Sequence, residues 1–233
     1  MKRGHWQILL AAALFLLALG LTMYPVVSNW YIGRHQSRIQ TEYREVLEQT
    51  DSAEIESIRE SAVAYNKTIT PGAAEEAYSQ KSIRLAAEDY VNRLNVSGSG
   101  IMGYVEIPKI GVDLPIYHGT GADSLDRGTG HLLGSSLPVG GESTHTIITG
   151  HSGMASQKMF TDLEQLREGD IFYLHVLDET LAYEVREIHT VLPHDTTYLG
   201  IEPGEDLCTL VTCTPTGVNT HRLLVQGSRI PYV

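Results

Sequence analysis

Cys213 closes the segment Thr209-Leu210-Val211-Thr212-Cys213-Thr214-Pro215. Catalysis by a cysteine thiol needs a lowered thiol pKa or a nearby base, a proton donor for the leaving amine, and a group that holds the oxyanion. The β-branched residues before Cys213 predict a strand, and Pro215 stops further pairing. A thiol at such a strand end has a rigid backbone and can open onto a groove. His151, in Thr149-Gly150-His151-Ser152-Gly153, also sits just past a predicted strand, between glycines that allow close approach. Arg222, in Asn219-Thr220-His221-Arg222, follows Cys213 by nine residues, enough for a turn and an antiparallel return. That return brings a guanidinium beside the thiol.

Other chemistries fit less well. Cys208 lies five residues before Cys213 on the same predicted strand, so the two side chains face opposite sides. At about 3.3 Å per residue the two are about 16 Å apart, and a disulfide needs Cα atoms within about 7 Å. Cys208 therefore reads as a core residue. Ten histidines invite a metal centre, but His145, His151, His189 and His194 are not completed by a carboxylate or thiol cluster. The expectation is no metal and no cofactor. A serine nucleophile at Ser136 or Ser152 lacks a GxSxG elbow. His118 and His131, in glycine-containing segments, read as loop or groove-wall residues, His221 as facing away from the thiol, and Asp170 and Asp195 as turn residues.

The elements around these residues are short strands. Met102–Ile107, Ile116–Tyr117, Thr144–Thr149, Ile171–Val176, Leu181–Val191, Leu207–Cys213 and Arg222–Val225 are predicted, with a hairpin turn at Leu177-Asp178-Glu179-Thr180 and a short helix over Phe160, Leu163 and Leu166. Seven or eight such strands with one or two small helices predict a mainly β fold, a closed or nearly closed barrel. Upstream the period changes. Residues 34–65 and 75–94 carry one apolar stripe each at helical spacing. Thr70-Pro71-Gly72 breaks the chain between them, and Ser97-Gly98-Ser99-Gly100 links them to the barrel.

The first 33 residues differ again. Lys2 and Arg3 precede an apolar run over residues 8–27, long enough to cross a hydrocarbon core of about 30 Å. Positive-inside logic leaves the N-terminus in the cytoplasm and everything after Trp30 and Tyr31 outside. A cleaved signal peptide, with Val26 and Ser28 at −3 and −1 of the cut, is the competing reading. The organisation expected is therefore an anchor at 1–33, a helical stem and linker at 34–100 and a catalytic barrel at 101–233. Within 233 residues, 17 Lys and Arg against 28 Asp and Glu give a formal net charge of −11, which argues against a nucleic-acid partner.

Taken together, the motifs resemble those of the sortases. TLVTC, TGH some sixty residues upstream and an Arg nine residues downstream look like a sortase active site. GYVEIPKIGVDLPIYHGT, GTGHLLGSSLPVGGESTHTIITGHSG, MFTDL, GDIFYLHVLDE, LPHDT and TCTPTGVNTHRLLVQGSRI resemble the class C, pilin-polymerising branch over residues 103–230. The resemblance implies an eight-stranded sortase-type β-barrel. It implies a membrane-anchored transpeptidase that cuts an LPxTG-like signal between Thr and Gly. Cys213 would carry the thioacyl intermediate, His151 would act as general acid and then base, and Arg222 would stabilise the oxyanion or position the substrate. The partners implied are pilin subunits with LPxTG-like C-terminal signals, a pilin lysine accepting the acyl group.

The chain departs from the family in three places. Ser152 stands where most relatives carry Arg. No Asp-Pro-aromatic lid precedes the barrel, which leads us to expect an open groove with Tyr78 as the one candidate substitute plug. No apolar run closes the C-terminus. Alternatives from other classes are a non-catalytic scaffold or adhesin on the same barrel, a wall-anchoring sortase, and a cysteine peptidase with water as acceptor.

Overall fold

The computed structural model describes residues 2–70, 72–74, 87–154 and 157–232. Helix α1 runs unbroken over Lys2–Gln49, so the apolar segment and the first part of the stem share one helix. Its apolar stretch, His5–Tyr24, has a mean hydropathy of 2.1, is exposed, and is long enough to cross a membrane. The break comes at Thr50-Asp51, not where the apolar run ends. The Thr50 hydroxyl turns back on Val46 O at 2.7 Å, and Asp51 caps the next helix by accepting from Ala53 N at 2.8 Å. Side chains that bond nearby backbone in this way end one helix and begin another. The helix read over 34–65 is therefore two helices, the second being α2, Ser52–Asn66. Of the helix expected over 75–94, α3 (Ala87–Asn92) is described, while its predicted face at Ile83 and Ala86, and Tyr78, lie outside the described residues.

The stem is held on the barrel by apolar contacts, with Ile55, Ala62 and Leu94 in the shared core, and by polar clamps. The barrel strands are β1 (Ile101–Ile107), β2 (Val112–His118), β3 (Thr129–His131), β4 (Thr144–Thr149), β5 (Ile171–Val176), β6 (Glu179–Val191), β7 (Asp206–Thr214) and β8 (His221–Ile230). Tyr43 of α1 is buried. Its hydroxyl donates to Met102 O at 3.3 Å and accepts from Leu177 N at 3.2 Å. Arg59 of α2 pairs with Asp178 and Glu179 of the β5–β6 hairpin, and Asn66 bonds Leu137 through both N–H and C=O. Tyr90 of α3 reaches His131 Nδ1 at 2.8 Å.

The eight strands close in the order β1-β2-β3-β4-β7-β8-β6-β5, with β5 back on β1. Two neighbouring pairs, β2–β3 and β4–β7, are parallel, and the rest are antiparallel. β4 and β7 are buried on both faces. Ile148, Cys208 and Leu210 point into the barrel, while Ile147 and Val211 pack outward with Leu132, Leu199 and Leu224. This is why Leu207–Val211 reads as a nearly continuous apolar run rather than an alternating one. β3, only three residues long and flanked by glycine-rich turns, gives no periodic signal and was not expected from the sequence.

His131 is not a loop residue. It lies in β3, fully buried, with Nε2 donating to Ser136 O at 2.8 Å and Nδ1 accepting from Tyr90. His118 ends β2 and bridges Gly100 O and Arg93 O, tying the linker to the barrel. Burial lowers the His131 pKa from 6.5 to about 4, and burial likewise lowers that of His145. The unfolded chain thus takes up protons below pH 6.5 that the folded one refuses. Stability is fully present above pH 6.5 and falls as the pH drops toward 4, by up to about 3 kcal/mol for His131. Chemical denaturation at pH 7 and pH 4.5 measures this loss. His131→Gln should be weaker at pH 7 but lose less between the two, and an equal loss in both chains would contradict the account.

Candidate active site

Three strands position the residues singled out by their chemistry. Cys213 and Arg222 are directly paired across β7 and β8, so their side chains leave the same face of the sheet. The β4–β7 pairing matches Thr149 with Val211 in parallel register, and Gly150 N continues it by donating to Val211 O at 3.0 Å. One step further along, His151 comes level with Cys213. Alternation sets Ile147 and Thr149 of β4 on one face, as it sets Val211 with Cys213 and Leu224 with Arg222, and carried two residues past the end of β4 the same register brings His151 to that face. That face is the outer one, where Ile147, Val211 and Leu224 pack together beneath the site.

The segment around His151 is held tightly. The Ser152 hydroxyl donates to Cys213 O at 2.7 Å, and the Thr212 hydroxyl donates to Gly150 O at 2.7 Å. Ser152 thus ties the His151 loop to the strand end that carries Cys213. His151 O accepts from Phe160 N at 2.9 Å. A Cβ on Gly150 would lie 2.7 Å from the Phe160 ring, and one on Gly153, at φ +73°, 2.9 Å from Thr216. Both glycines are required by close approach, as the sequence pattern implied. Phe160 itself precedes a single turn of 3-10 helix at Leu163–Gln165, which accounts for its three-residue apolar spacing.

Cys213, His151 and Arg222 are each partly exposed. Arg222 Nη1 donates to His221 O at 3.0 Å and Asn219 O at 3.4 Å, so its own loop fixes one edge of the guanidinium. Nε and Nη2 have no hydrogen bond among the described residues. Cys208 is fully buried on the opposite face of β7, and burial first, then Asp206, pushes its thiol pKa well up. It stays a protonated core thiol. Both ring nitrogens of His145 are engaged, Nδ1 with Gly200 O and Nε2 with the Thr209 hydroxyl, each at 2.7 Å. Asp195 accepts from Thr197 N and Asp170 from Arg167 N, both as turn residues. The sequence reading missed Asp126, whose Oδ1 lies 3.8 Å from His151 Nε2. No spacing rule links residues 126 and 151, because the chain between them passes through β3 and β4.

Comparison with known proteins gives consistent neighbours. A family model described as the sortase domain matches residues 105–230. Sortase A of Streptococcus agalactiae is 26% identical over 222 residues, covering 94% of this chain and 82% of its own. Sortase C of Streptococcus pneumoniae, a structure presented for its insight into catalysis and pilin substrate specificity, is 47% identical, with a TM-score of 0.75, over 84% of this chain and 97% of its own. A pilus-related sortase C of group B Streptococcus is 42% identical, with a TM-score of 0.75, over 83% of this chain and 97% of its own.

Proposed function

The chain belongs to the sortase family of cysteine transpeptidases, and we propose that it works as a class C enzyme that cleaves an LPxTG-like signal between Thr and Gly and joins the acyl group to a pilin lysine. The observation that carries this reading is the convergence of Cys213, His151 and Arg222 on one outer face of β4, β7 and β8. Likeness to sortases described with pilins supports the choice of substrate. In this reading Cys213 Sγ attacks the Thr carbonyl carbon. The free edge of the Arg222 guanidinium takes the negative oxygen. His151 gives its proton to the departing Gly nitrogen, leaving a thioacyl enzyme. The lysine amine then attacks the same carbon, His151 receives a proton from it, and the thiolate departs as the amide forms.

The apolar part of α1, near residues 8–27, serves in this reading as a single membrane anchor that holds residues 34–233 outside the cytoplasm. The stem over 34–100 then lies packed against the barrel at 101–233 on the outer side of the bilayer. Incubating the full chain with pilins that bear LPxTG-like signals should give ladders of covalent multimers. Transfer to wall-like amines without ladders would point instead to wall anchoring, and acid products alone to a peptidase.

Attack requires a thiolate and a protonated imidazole at once. The plot of kcat/KM against pH should therefore be bell-shaped, with an acid limb from protonation of the thiolate and an alkaline limb from loss of the imidazolium proton. A monotonic rise to high pH would remove the acid role from His151.

A further inference from the structure

From the placement of Asp126 we infer that this carboxylate receives the cationic acceptor amine and delivers it to His151. The inference rests on the reading of His151 as the proton acceptor and names the group that recruits the second substrate. Asp126 follows α4 (Ala122–Leu125), and its main chain is fixed on both sides. Its N–H donates to Ala122 O at 2.9 Å, and its carbonyl accepts from Gln157 Nε2 at 2.9 Å. The carboxylate itself is open, with 65% of the side chain exposed. The neighbouring cations are committed elsewhere. Arg127 donates to Asp123 O and lies 4.2 Å over the Tyr117 ring, while Lys158 pairs with Asp162 at 2.9 Å.

The distance between the two groups is informative. At 3.8 Å, Asp126 Oδ1 and His151 Nε2 are too far apart for a hydrogen bond to each other. A nitrogen placed between them can sit at about 2.8 Å from both, the length of a charge-assisted bond. The charges around the thiol are also divided. Arg222 lies on the β8 side, where an acyl oxygen carries negative charge, and Asp126 lies on the histidine side, where a lysine ammonium must arrive. A carboxylate in that position raises the local concentration of a cation.

The transfer step balances without a co-reactant. The lysine ammonium meets Asp126 and gives one proton to solvent. The resulting amine forms the C–N bond at the thioacyl carbon while His151 Nε2 takes its second proton. The C–S bond breaks and sulfur leaves with the electron pair, restoring the thiolate and imidazolium. Asp126 is unchanged.

The test reads how the thioacyl enzyme partitions between amide and acid products, using the full chain, an LPxTG peptide and limiting amine. With Nα-acetyl-lysine amide as acceptor, Asp126→Asn should lower the amide-to-acid ratio about two- to fivefold, the scale of an exposed ion pair. Asp126→Lys should lower it further, and 0.5 M salt should remove most of the difference from wild type. With hydroxylamine, an uncharged nucleophile, the ratio should move less than twofold in either variant. Equal losses for the charged and uncharged nucleophiles would overturn the inference. So would a fall in both products at constant ratio, which would mean that Asp126 only orients the His151 ring. A wild-type chain that forms no thioacyl adduct at Cys213 would instead overturn the catalytic reading beneath it.

Discussion

Cys213→Ala is expected to abolish signal cleavage and amine transfer together, while the barrel remains folded. In the proposed mechanism both half-reactions pass through one sulfur, so no partial activity should survive. The side chain is partly exposed at a strand end, and its loss should change stability by less than about 1 kcal/mol. Cys208 cannot replace it. It points into the barrel core from the opposite face of β7, and burial holds its thiol protonated. Peptide cleavage, amide formation and thermal unfolding of Cys213→Ala and Cys208→Ala check the expectation. Turnover that persists in the first and disappears in the second would reverse the assignment.

Arg222→Lys should lower kcat/KM by about 10²-fold or more, the usual cost of losing one oxyanion donor. A point charge would survive this change, but the planar fork would not. Arg222 Nη1 is spent on His221 O and Asn219 O, which sets the plane, and in the proposed mechanism Nε and Nη2 meet the substrate oxygen. A lysine ammonium cannot make both sets of bonds from one nitrogen in fixed directions. Steady-state rates with a single LPxTG peptide give the answer. Near-normal rates in the Lys variant would mean that Arg222 supplies only positive potential.

Where local pattern dictates structure, the chain is legible. β4 and β5 begin and end where their β-branched and apolar runs do, and β7 follows its apolar run to the residue before Pro215. Cys213, His151 and Arg222 could be singled out because each sits beside a turn signal at a strand end. Elements set by tertiary contact were harder. β3 exists because Gly130 and His131 pair with Thr149 and Ile148, not because three residues carry a period. The glycine neighbours of His131 suggest a loop or groove-wall residue, whereas the hydroxyl it meets in the buried strand, on Tyr90, is 41 residues away. Asp126 reaches His151 only after β2, β3 and β4 are assembled. The division of the stem at Thr50-Asp51 was marked by cap-forming residues, but the apolar stripe continues across it and hid the break.

The central claim is that acyl transfer runs through Cys213 on this outer face. Mass spectrometry of the full chain, mixed with an LPxTG peptide and quenched in acid without an acceptor amine, tests it most directly. The account predicts a mass increase equal to the peptide acyl group ending at Thr, located on the fragment that contains Cys213 and released by added amine. An adduct on any other residue, or cleavage of the peptide with no acyl-enzyme even after rapid quenching, would contradict it.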